Sequence, residues 1–147
     1  PYYQTGISYY RSEIRLSQIE DGTTNTYMVG EKMIPPMAYE GTADRSSPAF
    51  NYGENQSMYS GYEWDNHRGA WTPLFGSSQD AIESAQPLAD RDGVQNDFGE
   101  IQFGSAHPAA FNMVFCDGSV HTISYDIDYL THAHLAHRAD GNTVRLP

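Results

Sequence analysis

The sequence has little cysteine, little positive charge and no long apolar run. Cys116 is the one cysteine in 147 residues, so no disulfide can form within the chain and cysteine usage leaves the redox compartment open. Eight Lys and Arg stand against 19 Asp and Glu, for a formal net charge of −11. Such a surface cannot replace the counterions of a nucleic acid, and anionic lipid does not attract it. No stretch approaches the roughly 20 apolar residues that span a bilayer, and no signal peptide is visible.

Catalytic signatures are also missing from the sequence. No serine lies in a G-x-S-x-G turn, and the order of Ser, His and Asp residues does not indicate a catalytic triad. The glycines are too scattered to form a phosphate-binding loop. The sequence therefore predicts a non-catalytic protein.

Length and composition favour one folded domain, residues 1–147, with its own core. Hydrophobic residues make up 39% of the chain, which excludes a disordered acidic tail. The middle of the chain, roughly residues 35–100, is rich in proline, glycine and polar residues. This composition predicts long irregular loops, with short strands possible around Trp64 and Trp71.

The last third of the chain has the clearest pattern. Two β-prone runs, residues 110–116 and 119–125, flank Asp117-Gly118. An Asp-Gly pair between such runs predicts a β-hairpin with a two-residue type I′ turn, in which both turn residues have positive φ. We therefore expect an α+β fold with an antiparallel sheet around this hairpin, long loops and short helices.

Other elements follow from local patterns. Residues 26–31 are typical of a strand, whereas residues 12–19 are ambiguous between a strand and a short helix. A helix is predicted to start at Asp126 or Asp128 and to run to about residue 138. Its predicted apolar stripe is formed by Ile127, Leu130 and His134, with Leu135 beside it.

Four sequence blocks, spread over nearly the whole chain, carry a family resemblance. His107, nine intervening residues and then Asp117-Gly118 form an H-x9-DG motif. The chain resembles the prepilin-like protein family that is abundant in planctomycete bacteria, which has this motif near its C-terminus. The other matching blocks are Asp21, Gly22 and Asn25 with Glu31; Trp64, Asp65 and Arg68; and residues 126–128 with residues 137–141.

The resemblance implies a type IV pilin or pseudopilin-like precursor, with an α+β head that follows an apolar N-terminal helix. That helix is absent from this sequence, so we expect a head that is truncated or processed. The implied function is a non-catalytic subunit of a cell-surface filament or a type II secretion-like assembly. The expected location is outside the cytoplasm: the cell surface, the extracellular space or the periplasm. The expected partners are other pilin-like subunits or the protein itself, with membrane contact only through the missing helix.

The H-x9-DG motif invites a metal-binding or acid–base interpretation, but its geometry opposes one. An extended strand rises about 3.3 Å per residue, so the strand between His107 and Asp117 would hold them well over 20 Å apart. We therefore predict two separate structural roles. Asp117-Gly118 makes the turn, and His107 fixes the start of the strand.

Two other groups of residues suggest metal ions. His134 and His137 share a helix face while His132 points elsewhere, but no carboxylate lies at the spacing of a zinc site. A partly solvated helix face is the favoured interpretation. Calcium is a possible cofactor in the loop that carries Asp90, Asp92 and Asp97, although this loop lacks the bidentate glutamate of an EF-hand.

Two alternative functions remain open. The aromatic residues of the middle loops, Trp64 and Trp71 among them, could form a glycan site in a secreted carbohydrate-binding module, although loop and core packing is the favoured interpretation. A metal hydrolase that uses the histidine cluster is the third alternative.

Overall fold

The structure is a computed structural model. It describes residues 4–42, 44–47, 49–50, 57, 59–62, 67–70, 85–91, 101–144 and 146, and the account below concerns these residues. They form five strands: β1 (Tyr27–Gly30), β2 (Leu88–Ala89), β3 (Gly104–Ser105), β4 (Ala110–Phe115) and β5 (Val120–Ser124). One α-helix follows, α1 (Tyr129–Leu135). Three short 3-10 turns occupy Leu16–Gln18, Thr23–Asn25 and Pro36–Ala38.

An antiparallel sheet with the strand order β1-β4-β5 is the centre of the fold. Residues alternate along β4 between buried and partly exposed positions, as expected for a strand with one face on the core. Phe111, Met113 and Phe115 point inward. The expected α+β fold, the hairpin and the strand within residues 26–31 are thus confirmed. Before β1, the described residues contain two 3-10 turns and no α-helix.

The turn of the hairpin differs from the prediction. Gly118 N–H donates to Phe115 O at 2.9 Å, and Phe115 N–H donates to Ser119 O at 2.9 Å. Gly118 has a φ of +86°, whereas Arg11 is the one non-glycine with positive φ in the described part of the chain. The connection is therefore a three-residue loop, residues 116–118, that ends in a left-handed glycine. The prediction of positive φ at both Asp117 and Gly118 was wrong.

Hydrogen bonds from outside the hairpin account for this loop. Cys116 N–H donates to Thr26 O at 2.9 Å, and Asp117 N–H donates to Thr23 O at 3.1 Å. The Asp117 carboxylate accepts from the N–H of Ser119 at 2.9 Å. These contacts hold the first two loop residues against the 3-10 turn before β1, so only Gly118 takes a positive φ.

The core lies between the inner face of the sheet and α1. Its buried apolar residues are Tyr27, Phe103, Phe111, Met113, Phe115, Ile123 and Leu135. Helix α1 begins after Asp128, whose carboxylate accepts from Thr131 N–H at 2.9 Å, as the sequence predicts.

The buried face of α1 is not the predicted stripe. His132 and Leu135, three residues apart, are its buried residues, whereas Leu130 is 43% exposed. The helix also ends at Leu135 and does not reach residue 138. Residues at i and i+3 share one face, and in α1 this face packs against the core.

The N-terminal ambiguity is resolved as a 3-10 turn, Leu16–Gln18. Leu16 is 71% exposed and Ile19 is buried, so this segment contributes one apolar side chain to the interior. The Gln18 side chain accepts from Arg15 N–H at 2.8 Å and closes the turn. The segment is thus neither a strand nor a regular α-helix.

A second, two-stranded ladder pairs β2 with β3 in parallel. A Cβ atom at Gly104 would lie 1.9 Å from Leu88 O, so only glycine permits this close approach of the two backbones. The strands considered around Trp64 and Trp71 lie outside the described residues.

Candidate functional site

The Asp21 carboxylate joins two of the sequence blocks. Its oxygens accept from Asp140 N–H and Gly141 N–H, each at 2.8 Å, across 119 and 120 positions of sequence. Asp21 N–H donates in turn to Arg138 O at 3.2 Å. Asp21 is only 3% exposed, and these backbone donors satisfy a buried anion that would otherwise be costly. Asp21 therefore holds the end of the chain against the turn before β1.

Gly22 and Asn25 shape that turn. Gly22 has a φ of +95°, which glycine adopts without strain. Asn25 Nδ2 donates to Asp21 O at 3.0 Å, and Thr26 Oγ1 donates to Gly22 O at 3.1 Å. Carbonyl oxygens of the same turn also accept hydrogen bonds from the backbone N–H groups of Cys116 and Asp117 in the hairpin loop. Three of the sequence blocks, those of Asp21, Asp117 and residues 137–141, therefore form one hydrogen-bonded network.

Glu31 and His107 meet at the start of β4. Glu31 Oε1 lies 3.6 Å from His107 Nε2, and Glu31 Oε2 accepts from Asn112 N–H at 2.6 Å. His107 N–H donates to Ser105 Oγ at 3.1 Å, and Tyr125 O–H donates to His107 O at 3.0 Å. The backbone and side chain of His107 therefore both hold the segment before β4.

Asp117 contacts different groups from His107. Its carboxylate accepts from the N–H and, at 2.6 Å, the O–H of Ser119. These hydrogen bonds lower the pKa of Asp117 because they favour its ionised form. The described contacts give His107 and Asp117 no common partner.

The remaining predicted site residues are only partly described. Arg68 Nη1 donates to His67 O at 3.4 Å, while Trp64 and Asp65 lie outside the described residues. Asp90 accepts from Ile34 N–H at 2.9 Å and from Tyr39 O–H at 2.5 Å. Its proposed calcium partners, Asp92 and Asp97, lie outside the described residues, so the calcium site stays a prediction.

A groove of about 530 Å³ lies beside the network. Residues 5–8, strand β1, residues 67–70 and helix α1 with the segment after it form its walls. Apolar residues line much of it, among them Tyr27, Phe103 and Leu130. Polar side chains line the rest, among them Ser8, His67, His134, His137 and Asp140. The volume is that of a small-ligand site.

Aromatic rings lie at the N-terminal rim of this groove. Ser8 Oγ lies 2.8 Å from His67 Nε2, and the rings of His67 and Tyr62 have centroids 4.4 Å apart. The Tyr62 ring meets Tyr10 edge to face at 6.2 Å. The rim therefore offers hydroxyl groups next to aromatic surface.

His134 and Asp140 form a close pair in the wall of the groove. His134 Nδ1 lies 2.7 Å from Asp140 Oδ2, and Asp140 Oδ1 accepts from Asn142 N–H at 2.8 Å. Burial opposes ionisation of Asp140, but hydrogen bonds with His134 and Asn142 outweigh it and lower the pKa of this carboxyl group. His134 and His137 were expected to lie on a solvated helix face without a carboxylate nearby. The structure instead places the Asp140 carboxylate beside His134.

His132 lies inside the core, which sequence reasoning missed. Its ring is packed among Tyr27, Phe103 and Phe111, with centroid distances of 5.4, 5.8 and 6.1 Å. Its Nδ1 lies 3.2 Å from the Tyr27 hydroxyl. Burial lowers the pKa of His132 to about 3 because the charged form has lost its water. The one sequence signal was its spacing of three residues from Leu135.

The fold and these contacts define the class of the protein. It is a small α+β protein in which side chains and carbonyl groups of one sequence block accept hydrogen bonds from backbone N–H groups of another. The family described as "Protein of unknown function (DUF1559)", SBP_bac_10, matches residues 1–130, and the chain belongs to this family. No curated protein and no solved structure matches the chain. Among the residues that the structure describes, no helix has the length and apolar character needed to cross a membrane.

Proposed function

We propose that the protein is a non-catalytic, pilin-like subunit of an exported assembly, either a cell-surface filament or a type II secretion-like complex. The observation that carries this proposal is what the motif carboxylates do. Those of Asp21, Glu31 and Asp117 each accept backbone N–H groups. The residues that carry the resemblance to prepilin-like proteins thus stabilise the folded domain through these hydrogen bonds. None of these contacts brings a nucleophile to a base.

The outer face of the sheet offers a surface for neighbouring subunits. Val29, Val114 and Val120 are in register across β1, β4 and β5. Val29 is 59% exposed and Val120 is 66% exposed, so the row is a continuous apolar stripe on the outside of the sheet. A contiguous exposed apolar surface supports protein–protein contact. The net charge of −11 is consistent with protein partners and not with nucleic acid.

Cross-linking of subunits in the native host tests this proposal. Val29→Asp places a charge in the apolar row, and we expect it to reduce the cross-linked species. Thr122→Asp is the matched control, since Thr122 is also exposed on β5 but lies outside the valine row. Equal cross-linking for wild type and Val29→Asp would contradict the use of this face. Absence of any self-association of the exported protein would contradict the assembly itself.

A secreted carbohydrate-binding module is the second candidate, and the rim of the groove supports it. Tyr10 and Tyr62 present aromatic surface beside Ser8 and His67, and sugars pack on such rings while hydroxyl groups bind polar neighbours. Calorimetric titration with oligosaccharides tests it. Tyr10→Ala should abolish binding, whereas Leu16→Ala, a change at an exposed residue of a different segment, the Leu16–Gln18 turn, should not. No heat of binding across a broad glycan panel would contradict it.

A further inference from the structure

Three metal-ligating side chains come together at the end of the groove. One ligand atom from each of Asp21, His137 and Asp140 lies within 4.8 Å of the other two. The sequence suggested no carboxylate at a suitable spacing for the histidines of α1 and the following turn. The fold supplies two. The chain brings Asp140 back toward the helix, and the turn before β1 brings Asp21 from 119 positions away.

The ligand types indicate the class of ion. Two carboxylates and one imidazole suit a first-row divalent metal, bound at about 2.0–2.2 Å. Ligand atoms around such an ion lie on the order of 3–4 Å apart, so the present cluster would close by about an ångström. His134, 2.7 Å from Asp140, would orient that carboxylate, as outer partners of metal ligands commonly do.

The charges in the cluster favour a cation. Asp21 and Asp140 place two carboxylates side by side, and Asp21 is almost completely buried. The adjacent Arg138 directs its guanidinium elsewhere: Nη1 donates to Gln4 O and Gly6 O, and the group lies over the Tyr9 ring. A divalent ion would neutralise both carboxylates at once.

We propose that Asp21, His137 and Asp140 bind a divalent transition-metal ion of the Zn²⁺ type, with His134 as the positioning residue for Asp140. His137 and Asp140 line the groove, which gives the ion a route in and leaves coordination positions for water or a ligand. His137 Nδ1 accepts from Ala139 N–H at 3.1 Å, a hydrogen bond that an ion bound through this nitrogen would replace. The ion would link the turn before β1 to the end of the chain.

Two measurements on the unaltered protein test this site directly. Zn²⁺ should raise the melting temperature by mass action on the folded state, and EDTA should reverse the rise. Co²⁺ should bind saturably at one ion per chain, with the visible absorption of a low-coordinate protein site. Failure of Co²⁺ to bind saturably, or a response to Ca²⁺ but not to Zn²⁺ or Co²⁺, would overturn the proposal.

Substitutions locate the site. His137→Gln and Asp140→Asn should each weaken Zn²⁺ binding by about tenfold or more, and His134→Gln should weaken it to a smaller extent. His107→Gln is the matched control, because His107 is a histidine beside a carboxylate at another place in the fold. Asp21 is left unchanged since it also holds backbone N–H groups. Circular dichroism checks that each variant folds. Wild-type affinity in both His137→Gln and Asp140→Asn, or loss of binding in His107→Gln, would refute the assignment.

Discussion

The buried imidazole of His132 makes the fold sensitive to acid, and replacing it with phenylalanine should remove much of that sensitivity. His132 is neutral in the folded protein, with its pKa lowered from 6.5 to about 3. In the unfolded chain it has its ordinary pKa and takes up a proton below about pH 6.5. A lowered pKa in the fold means that its stabilising contribution is present above pH 6.5 and is lost as pH falls toward 3.

The size of the effect follows from the shift. Each pKa unit corresponds to about 1.4 kcal/mol, so the full difference between 6.5 and 3 amounts to about 5 kcal/mol. At about pH 4 the unfolded state already gains about 3 kcal/mol of that amount. A domain of this kind has a total stability of about 5–15 kcal/mol. Protonation of His132 alone can therefore remove a large part of it.

Urea unfolding at about pH 7 and about pH 4 measures this contribution. His132→Phe keeps a ring among Tyr27, Phe103 and Phe111 but loses the bond to the Tyr27 hydroxyl, so it should be less stable than wild type near neutral pH. Between the two pH values it should lose about 3 kcal/mol less than wild type. Leu16→Ala, at an exposed residue without a titratable side chain, is the control and should follow the wild-type pH dependence. An equal loss in wild type and His132→Phe would refute the reasoning.

Three further predictions concern the motifs and the proposed ion. Gly118→Val should lower the free energy of unfolding by about 1–2 kcal/mol because Gly118 has a φ of +86°; a clash is not the cause, since no described atom lies within 4 Å of the position that a Cβ would take there. Gly118→Asn should lower it less, and a free energy of unfolding unchanged in both variants would contradict the left-handed assignment. His107→Ala and Asp117→Ala should have additive effects on the free energy of unfolding, and a coupling energy above about 1 kcal/mol in a double-mutant cycle would show that they interact. If the loop that carries Asp90 binds calcium, Ca²⁺ should raise the melting temperature; identical melting curves in EDTA and in excess Ca²⁺ would exclude the site.

The elements that the sequence predicts correctly depend on local patterns. Alternation along β4, the Asp-Gly pair and the β-prone run before Glu31 are each specified within a few residues. The N-cap at Asp128 is likewise a local signal. Such patterns determine which segments form strands and where the helix begins.

The features that the sequence did not predict depend on distant contacts. The hairpin loop is determined partly by Thr23 and Thr26, which accept hydrogen bonds from a segment about ninety residues further along. The cluster of Asp21 with Asp140 spans 119 positions, so spacing along one helix could not reveal it. His132 is a polar residue type at a core position, and only the packing of aromatic rings around it accounts for its burial.

Electron cryotomography of the native cells, with the protein labelled, tests the central proposal most directly. A pilin-like subunit should be found outside the cytoplasm, in ordered filaments or in a secretion-like complex at the cell surface, with neighbouring heads in regular contact. A protein found only as dispersed single molecules, or only inside the cytoplasm, would contradict the account.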